Sequence, residues 1–297
     1  MTAPKTKPAW LRRRIPAPGL QPAVSRTLKD LSLHTVCQEA RCPNQMECYG
    51  RGTATFLLLG PSCTRGCAFC AVSKSPVKKP DPDEPGRVAR AAAEMGLDFC
   101  VLTMVTRDDL DDGGAGHVAR TIEALRLSLP GAGVEALISD LGGSGPALET
   151  VLKARPEVLN HNLETVPRLY GRVRPQADYR RSLDLLARAA ASRPRPVTKS
   201  GLMLGLGESR AEVLQTLDDL RAVDCDLITL GQYLAPSSDH LPVARYVSPE
   251  EFEDYRGLAL KKGFKGAASA PLVRSSYRAG QLFEEAATKT GPTSPPG

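Results

Sequence analysis

Six of the chain's eight cysteines fall between Cys37 and Cys70, in two triplets: Cys37-x4-Cys42-x5-Cys48 and Cys63-x3-Cys67-x2-Cys70. Thiols in an oxidising compartment pair as disulfides, and six cysteines in a small secreted domain would read as three of them. This chain is long, and its basic N-terminus has no apolar segment behind it, so it does not read as secreted. In a reducing cytosol clustered cysteines are more often metal ligands. Structural zinc wants four Cys or His ligands, usually as paired knuckles, and neither triplet has an adjacent fourth. Iron–sulfur clusters suit two triplets better. A four-iron cluster is normally held by four thiolates, so three leave one iron available for another ligand.

The elements that must position these residues follow a β/α rhythm. Strands are expected over Thr53 to Leu59, Leu97 to Thr103, Gly133 to Ile138, Glu157 to Asn160, Val197 to Leu204 and Asp226 to Leu230, with a last strand over Phe264 to Ala268. Between them, Val88, Ala91, Ala92 and Met95 share one helical face over Arg87 to Met95, and Val118, Ile122, Leu125 and Leu129 form a second stripe ended by Pro130. Further helices are expected near Arg180 to Ala191 and Ala211 to Val223. Ser248-Pro249-Glu250-Glu251 opens another, with Ser as N-cap, Pro at the first helical position and Glu completing a capping box. Six alternating units imply a parallel sheet. The polar clusters lie just after the strands: the cysteine loop, Arg107-Asp108-Asp109, Asp140, Asn160 to Asn162 with Glu164, Gly205 to Glu208, and Gly231 to Tyr233. A barrel gathers such strand ends onto one face. The fold class is therefore α/β, a partial (β/α)6 TIM-type barrel with N- and C-terminal extensions covering the open side. Its expected divisions are a basic, Pro-rich, flexible leader (1–30), an N-terminal extension with the first triplet (31–52), the barrel (53–268) and a C-terminal segment with a flexible tail (269–297).

Composition narrows the function. The chain has 297 residues, 41% hydrophobic and 24% charged, which excludes disordered and fibrous classes. Its apolar runs fall short of the ~20 residues a membrane helix needs. The net charge of +6 sits entirely in residues 1–30, and the remaining body balances 32 basic against 32 acidic residues. A nucleic-acid enzyme usually carries its positive charge on the folded body, so nucleic acid is disfavoured, and the expected setting is the cytoplasm.

With Phe69 just before its last cysteine, the second triplet resembles the signature of the radical S-adenosylmethionine (SAM) superfamily. Further stretches resemble the lipoyl synthase family: Arg107 to Gly114 (RDDLDDGG), Asn160 to Val173 (NHNLETVPRLYGRV), Thr198 to Glu208 (TKSGLMLGLGE), Gly231 to Leu234 (GQYL) and Arg274 to Tyr277 (RSSY). The similarity runs from about His34 to Ala279. Met104, Thr106, Ser139 and Ala270 depart from the family's pattern, and none is a proposed cluster ligand.

The resemblance implies two 4Fe-4S clusters. One, on Cys63, Cys67 and Cys70, binds SAM at its open iron; the other, auxiliary, is held by Cys37, Cys42 and Cys48 with the Ser275 hydroxyl as fourth ligand. Phe69, Asn160, Asn162, Glu164, Arg174, Gly205 and Gly207 are the implied SAM or substrate contacts. The implied reaction cleaves SAM to a 5′-deoxyadenosyl radical, which takes hydrogen from an octanoyl chain on a carrier lysine, and sulfur from the auxiliary cluster enters at C6 and C8. Implied partners are octanoylated carrier domains (2-oxoacid dehydrogenase E2 subunits and the glycine cleavage H protein), an electron donor such as ferredoxin or flavodoxin, and an iron–sulfur cluster carrier. A tRNA methylthiotransferase would be expected to add a basic RNA-binding domain. An electron carrier would gain nothing from an open iron. Cys100 and Cys225, within or beside apolar strands, read as buried core thiols. Asp108 to Gly113 fails as a calcium loop, since Leu110 takes a ligand position and Ala119 stands where Glu should be. His34, His117 and His240 have no partner visible in sequence.

Overall fold

The computed structural model describes residues 6–12, 17 and 19–289. An eight-stranded sheet runs in sequence order: β1 (His34–Thr35), β2 (Thr55–Leu58), β3 (Phe99–Met104), β4 (Gly133–Leu137), β5 (Val158–Asn160), β6 (Val197–Leu204), β7 (Leu227–Gln232) and β8 (Gly266–Ser269). β1 pairs antiparallel with β2, and every later neighbour is parallel. β2 to β7 are the six expected strands and β8 is the expected last one. β1 went unforeseen, because two residues carry no readable alternation.

The helices are α1 (Gln21–Asp30), α2 (Val36–Glu39), α3 (Gln45–Gly50), α4 (Glu84–Glu94), α5 (Ala115–Ser128), α6 (Gly145–Lys153), α7 (Tyr170–Val173), α8 (Tyr179–Ala191), α9 (Arg210–Ala222), α10 (Pro249–Lys261) and α11 (Ala279–Lys289). Most follow a strand and return the chain for the next parallel strand, as parallel pairing requires. Their buried stripes are those the periodicity marks, such as Val88, Ala91 and Ala92 on α4 and Val118, Ile122 and Leu125 on α5.

Two expectations need correction. Within the leader, where flexibility is expected, Gln21–Asp30 forms α1 instead: Pro22 sits in its first turn, and Val24 and Leu28, one turn apart, are buried where the helix meets α3 and α4. The leader's residues 1–5, 13–16 and 18 and the tail after Lys289 lie outside the described residues. At Ser248 the N-cap is made, its hydroxyl accepting from the Glu251 amide at 3.2 Å, with Pro249 in the first turn. The reciprocal half is missing because Glu251 pairs with Arg245 at 2.7 and 2.8 Å. The complete box forms at Ser209 and Glu212.

Among the described residues β1 and β8 do not pair, so the barrel stays open. α11 closes the end where strands begin. Its Leu282 and Ala286 pack with Leu227, the first residue of β7. Its Phe283 ring lies 5.7 Å from that of Phe99, the first residue of β3. The opposite end remains a cavity.

Candidate active site

The cavity at the strands' C-terminal ends has a volume of about 480 Å³. It brings together Cys37, Cys42, Cys63, Cys67, Cys70, Phe69, Asn162, Glu164, Arg174 and Ser275. Cys48 stands behind its triplet, close enough to Cys37 and Cys42 for their charges to act on it. All eight cysteines are free thiols.

The second triplet's loop is launched by a tight reversal after β2, where Leu59 (φ +70°) and Gly60 (φ +86°) both take left-handed conformations. The loop is then tied down along its length. Cys63 donates its amide to the Ser73 carbonyl (2.9 Å), Thr64 donates to Thr106, and the Gly66 amide meets Gln176 Oε1 at 2.6 Å. Arg65 forks onto Asp108 (2.8 and 2.7 Å) and reaches Asp140 (2.8 Å). Burial alone would raise the Asp140 carboxyl; Arg65's hydrogen bond and charge hold it below the ordinary carboxylate range instead. His240 contacts the Cys70 carbonyl (3.1 Å) and Ser237 (2.8 Å). The acidic motif after β3 is thus structural: Asp108 fixes Arg65, Asp109 pairs with the buried Arg107 (2.8 and 2.7 Å), and Asp112 caps the start of α5 through the Gly114 and Gly116 amides.

On the opposite wall, Glu164 holds a strained left-handed backbone (φ +66°), pinned between the Gly201 carbonyl and the Met203 amide. Such strain in a non-glycine residue persists only where the surroundings enforce it. Burial pushes the Glu164 carboxyl up, against the opposing pull of Arg174. Arg174 Nη1 donates to the Asn162 and Leu163 carbonyls (2.9 and 3.1 Å), and its Nε is buried without a partner. His161 Nδ1 meets the Ile138 carbonyl at 2.9 Å, so it carries the proton and leaves Nε2 an unpartnered buried acceptor. Burial, then Arg174, lowers the imidazole to about 4, which keeps it neutral. Asn162 Oδ1 is a second unpartnered acceptor. These orphaned atoms at the cavity wall suit a ligand rich in N–H donors and carboxylate oxygens.

Three sequence candidates lie elsewhere. Asn160 is buried below the cavity, donating to Glu135 at 2.7 Å. Gly205 and Gly207 have left-handed φ of +100° and +111°, but the space over Gly205 is filled by Gln232 Nε2 and the Arg245 carbonyl, and neither glycine lines the cavity. Cys100 and Cys225 are fully buried in the core. Sequence reasoning missed Arg65 in the cysteine loop, and Glu135 and Lys199, for which a charged residue inside the apolar β4 and β6 was the available signal. It also left His117 without its partner, Glu84, at 2.6 Å.

The thiols fit clusters better than single ions. Among the described residues no three His, Cys, Asp or Glu side chains stand as ligands of one metal ion. A four-iron cluster gives each thiolate its own iron, so its thiols need not converge on one point. Burial pushes Cys37 up to about 11 and Cys48 and Cys70 to about 12, so these thiols are neutral, and a bound metal would have to displace their protons.

Comparison with known proteins agrees with this geometry. A family profile described as the radical SAM superfamily matches residues 57–220. The lipoyl synthase of Desulfotalea psychrophila is 54% identical over 280 residues, covering 94% of each chain. That of Caldanaerobacter subterraneus is 54% identical over 273 residues, covering 92% of this chain and 95% of the other. Among solved structures, HydG, a maturase of the [FeFe]-hydrogenase, superposes with TM-score 0.57 at 16% identity, covering 83% of this chain and 62% of its own. Methylornithine synthase superposes with TM-score 0.55 at 14% identity, covering 82% and 74%. At those identities the likeness concerns the fold alone.

Proposed function

The chain belongs to the lipoyl synthase family of the radical SAM superfamily, and from that premise we propose how its residues divide the work. The family's reaction is radical SAM insertion of sulfur into an octanoyl-lysine chain. We infer that Cys63, Cys67 and Cys70 would hold the cluster that takes SAM, and that Cys37, Cys42 and Cys48, with Ser275, would hold the auxiliary one. The observation that carries this reading is that five of the six triplet cysteines and Ser275 line one cavity, with Cys48 close to Cys37 and Cys42.

Bound there, the cluster on Cys63, Cys67 and Cys70 would pass one electron from the external donor to SAM, releasing methionine and a hydrogen-abstracting radical, and the cluster on the first triplet would supply sulfide. The protein's own part is binding and exclusion. His161 Nε2 and Asn162 Oδ1 would accept N–H donors of SAM, Arg174 would meet its carboxylate, and Phe69, packed against the core at the cavity wall, would border it. Leu57, Met104, Leu137 and Met203 line the cavity with apolar surface that receives an alkyl chain and excludes water. An unactivated methylene has no acidic proton, so no side chain needs to act as a base on it. The octanoylated E2 and H-protein domains, a ferredoxin or flavodoxin donor, a cluster carrier and a cytoplasmic setting complete the proposal. Among the described residues no helix is long and apolar enough to cross a membrane.

The test is the mass of an octanoylated carrier domain after incubation with reduced, reconstituted protein and SAM. A gain of two sulfurs is expected. 5′-Deoxyadenosine without that gain would indicate another radical SAM reaction, and neither product would indicate an electron carrier.

A further inference from the structure

The spacer between Cys42 and Cys48 reaches across 228 residues of sequence to touch the C-terminal segment that carries Ser275. Asn44, 1% exposed, donates from Nδ2 to the Leu272 carbonyl at 2.7 Å. One helical turn on, Glu47 accepts from the Tyr277 hydroxyl at 2.8 Å. The two contacts bracket Ser275, one three residues before it and one two residues after. Behind the segment, β7 closes the space: a Cβ at Gly231 would lie 2.1 Å from the Val273 carbonyl oxygen, and the Gln232 amide donates to Pro271 at 3.1 Å. Only a glycine admits that approach.

The geometry points to Asn44 and Glu47 as positioning residues that fix Ser275 in register with the first cysteine triplet. This rests on the reading of Ser275 as an auxiliary-cluster ligand and deepens it. A serine oxygen is a harder ligand than a thiolate and binds a sulfide cluster's iron less tightly. Such a ligand cannot rely on its own affinity to find its place, so the protein must hold it there. Asn44 and Glu47 lie between two of the cysteines, so any movement of Cys42 and Cys48 carries Leu272 and Tyr277 with it. Ligand set and serine become one mechanical unit, while the SAM-side loop is anchored through a different set of residues, Arg65, Gln176 and His240.

The experiment uses the full chain with Asn44→Ala, Tyr277→Phe, Glu47→Ala, Glu47→Gln and Ser275→Ala. With clusters reconstituted, 5′-deoxyadenosine and sulfur-containing product are measured together on an octanoyl-lysine peptide. Asn44→Ala and Tyr277→Phe should lower product per 5′-deoxyadenosine by roughly tenfold, the size of one lost hydrogen bond, and Glu47→Ala, which also loses its ion pairs with Arg51 (3.3 Å) and Arg278 (3.7 Å), by at least as much. Glu47→Gln, which keeps an acceptor for Tyr277, should recover most of the loss. Added to Ser275→Ala, Tyr277→Phe should cost nothing further. In the cluster-free chain, hydrogen exchange at the Val273 and Tyr277 amides should speed up in Asn44→Ala and Tyr277→Phe. Unchanged exchange and an unchanged product ratio in Tyr277→Phe, alongside an impaired Ser275→Ala, would overturn the clamp alone. Additive losses with Ser275→Ala would do the same. Full sulfur insertion by Ser275→Ala would overturn the ligand reading, and the clamp with it.

Discussion

Lys199 and Glu135 face each other inside the barrel, Nζ lying 2.9 and 2.8 Å from the two carboxylate oxygens with neither side chain reaching solvent. Along β4 and β6 side chains alternate between faces, so the next inward positions are Leu137 and Gly201, both of which line the cavity. The pair therefore sits beneath the site's floor, with Asn160 donating to the same carboxylate.

Removing one partner of a buried ion pair strands the other charge, at a cost of about 3–5 kcal/mol. Lys199→Met should accordingly lose most of the fold's stability margin. Lys199→Met combined with Glu135→Leu should recover a large part of it. Thermal unfolding of the cluster-free chain checks the order. A double variant less stable than the single one would show that the pair itself, and not its uncompensated half, is what the floor needs.

The strands were legible because a parallel sheet buried on both faces writes apolar runs into the sequence, and Val197 to Leu204 matches β6 end to end. The cysteine triplets stood out because coordination chemistry restricts residue type and spacing locally, and the structure brings five of their six members to one cavity. What no local pattern carries is which distant surfaces meet. Lys199 and Glu135 are 64 residues apart, and pairing them needs the register of β4, β5 and β6. Gly205 misled for a related reason: left-handed glycines mark close approach, but the sequence does not say whether a ligand or Gln232 does the approaching.

The two triplets should be separable. Replacing Cys63, Cys67 and Cys70 by Ala should leave about half the iron and abolish SAM cleavage, each cluster holding four irons. Replacing Cys37, Cys42 and Cys48 should also leave about half, yet keep 5′-deoxyadenosine formation without sulfur insertion. Iron analysis with product quantitation decides it. A second variant that keeps its remaining cluster but cleaves no SAM would contradict the division of labour.

Glu84 supports the cysteine loop from behind. Its Oε2 accepts from the Leu59 amide at 2.8 Å and contacts His117 Nε2 at 2.6 Å, all of it buried. Leu59 is the left-handed residue that turns the chain out of β2. Glu84→Ala leaves that amide unsatisfied, costing about 1–3 kcal/mol, and should raise KM for SAM. Glu84→Gln keeps the acceptor and should change KM far less. Steady-state kinetics of SAM cleavage distinguishes them.

His161 makes the fold sensitive to acid. Its folded value is depressed to about 4 by burial and Arg174, below an ordinary value of 6.5. Between those values the unfolded chain binds a proton that the folded chain does not. The contribution is therefore fully present above pH 6.5 and lost as pH falls through about 4, on the order of 3 kcal/mol in all. Unfolding of the cluster-free chain across this window should show the slope, and His161→Asn should flatten it.

The leader should serve the encounter with the carrier domain, and the structure says where to cut. Lys7 lies at the cavity's edge, whereas α1 further on buries Val24 and Leu28 in the core. Deleting residues 1–7 removes Lys5 and Lys7 and leaves the buried Leu11 and α1 in place. Opposite charges steer association and raise its rate, an effect screened over ~8 Å at physiological ionic strength. The short deletion should therefore slow turnover of a whole, acidic octanoylated domain at low salt, and the difference should fade as salt rises. A short octanoyl-lysine peptide, with little charge to steer, should turn over at the full rate. Deleting residues 1–29 also strips the buried apolar side chains of Leu11, Val24 and Leu28, each contributing about 1.5–3 kcal/mol, and should slow both substrates through lost stability. Rates for each deletion on each substrate, measured across a salt series, separate the two effects. Equal slowing of peptide and domain by the short deletion would make the arm structural along its whole length.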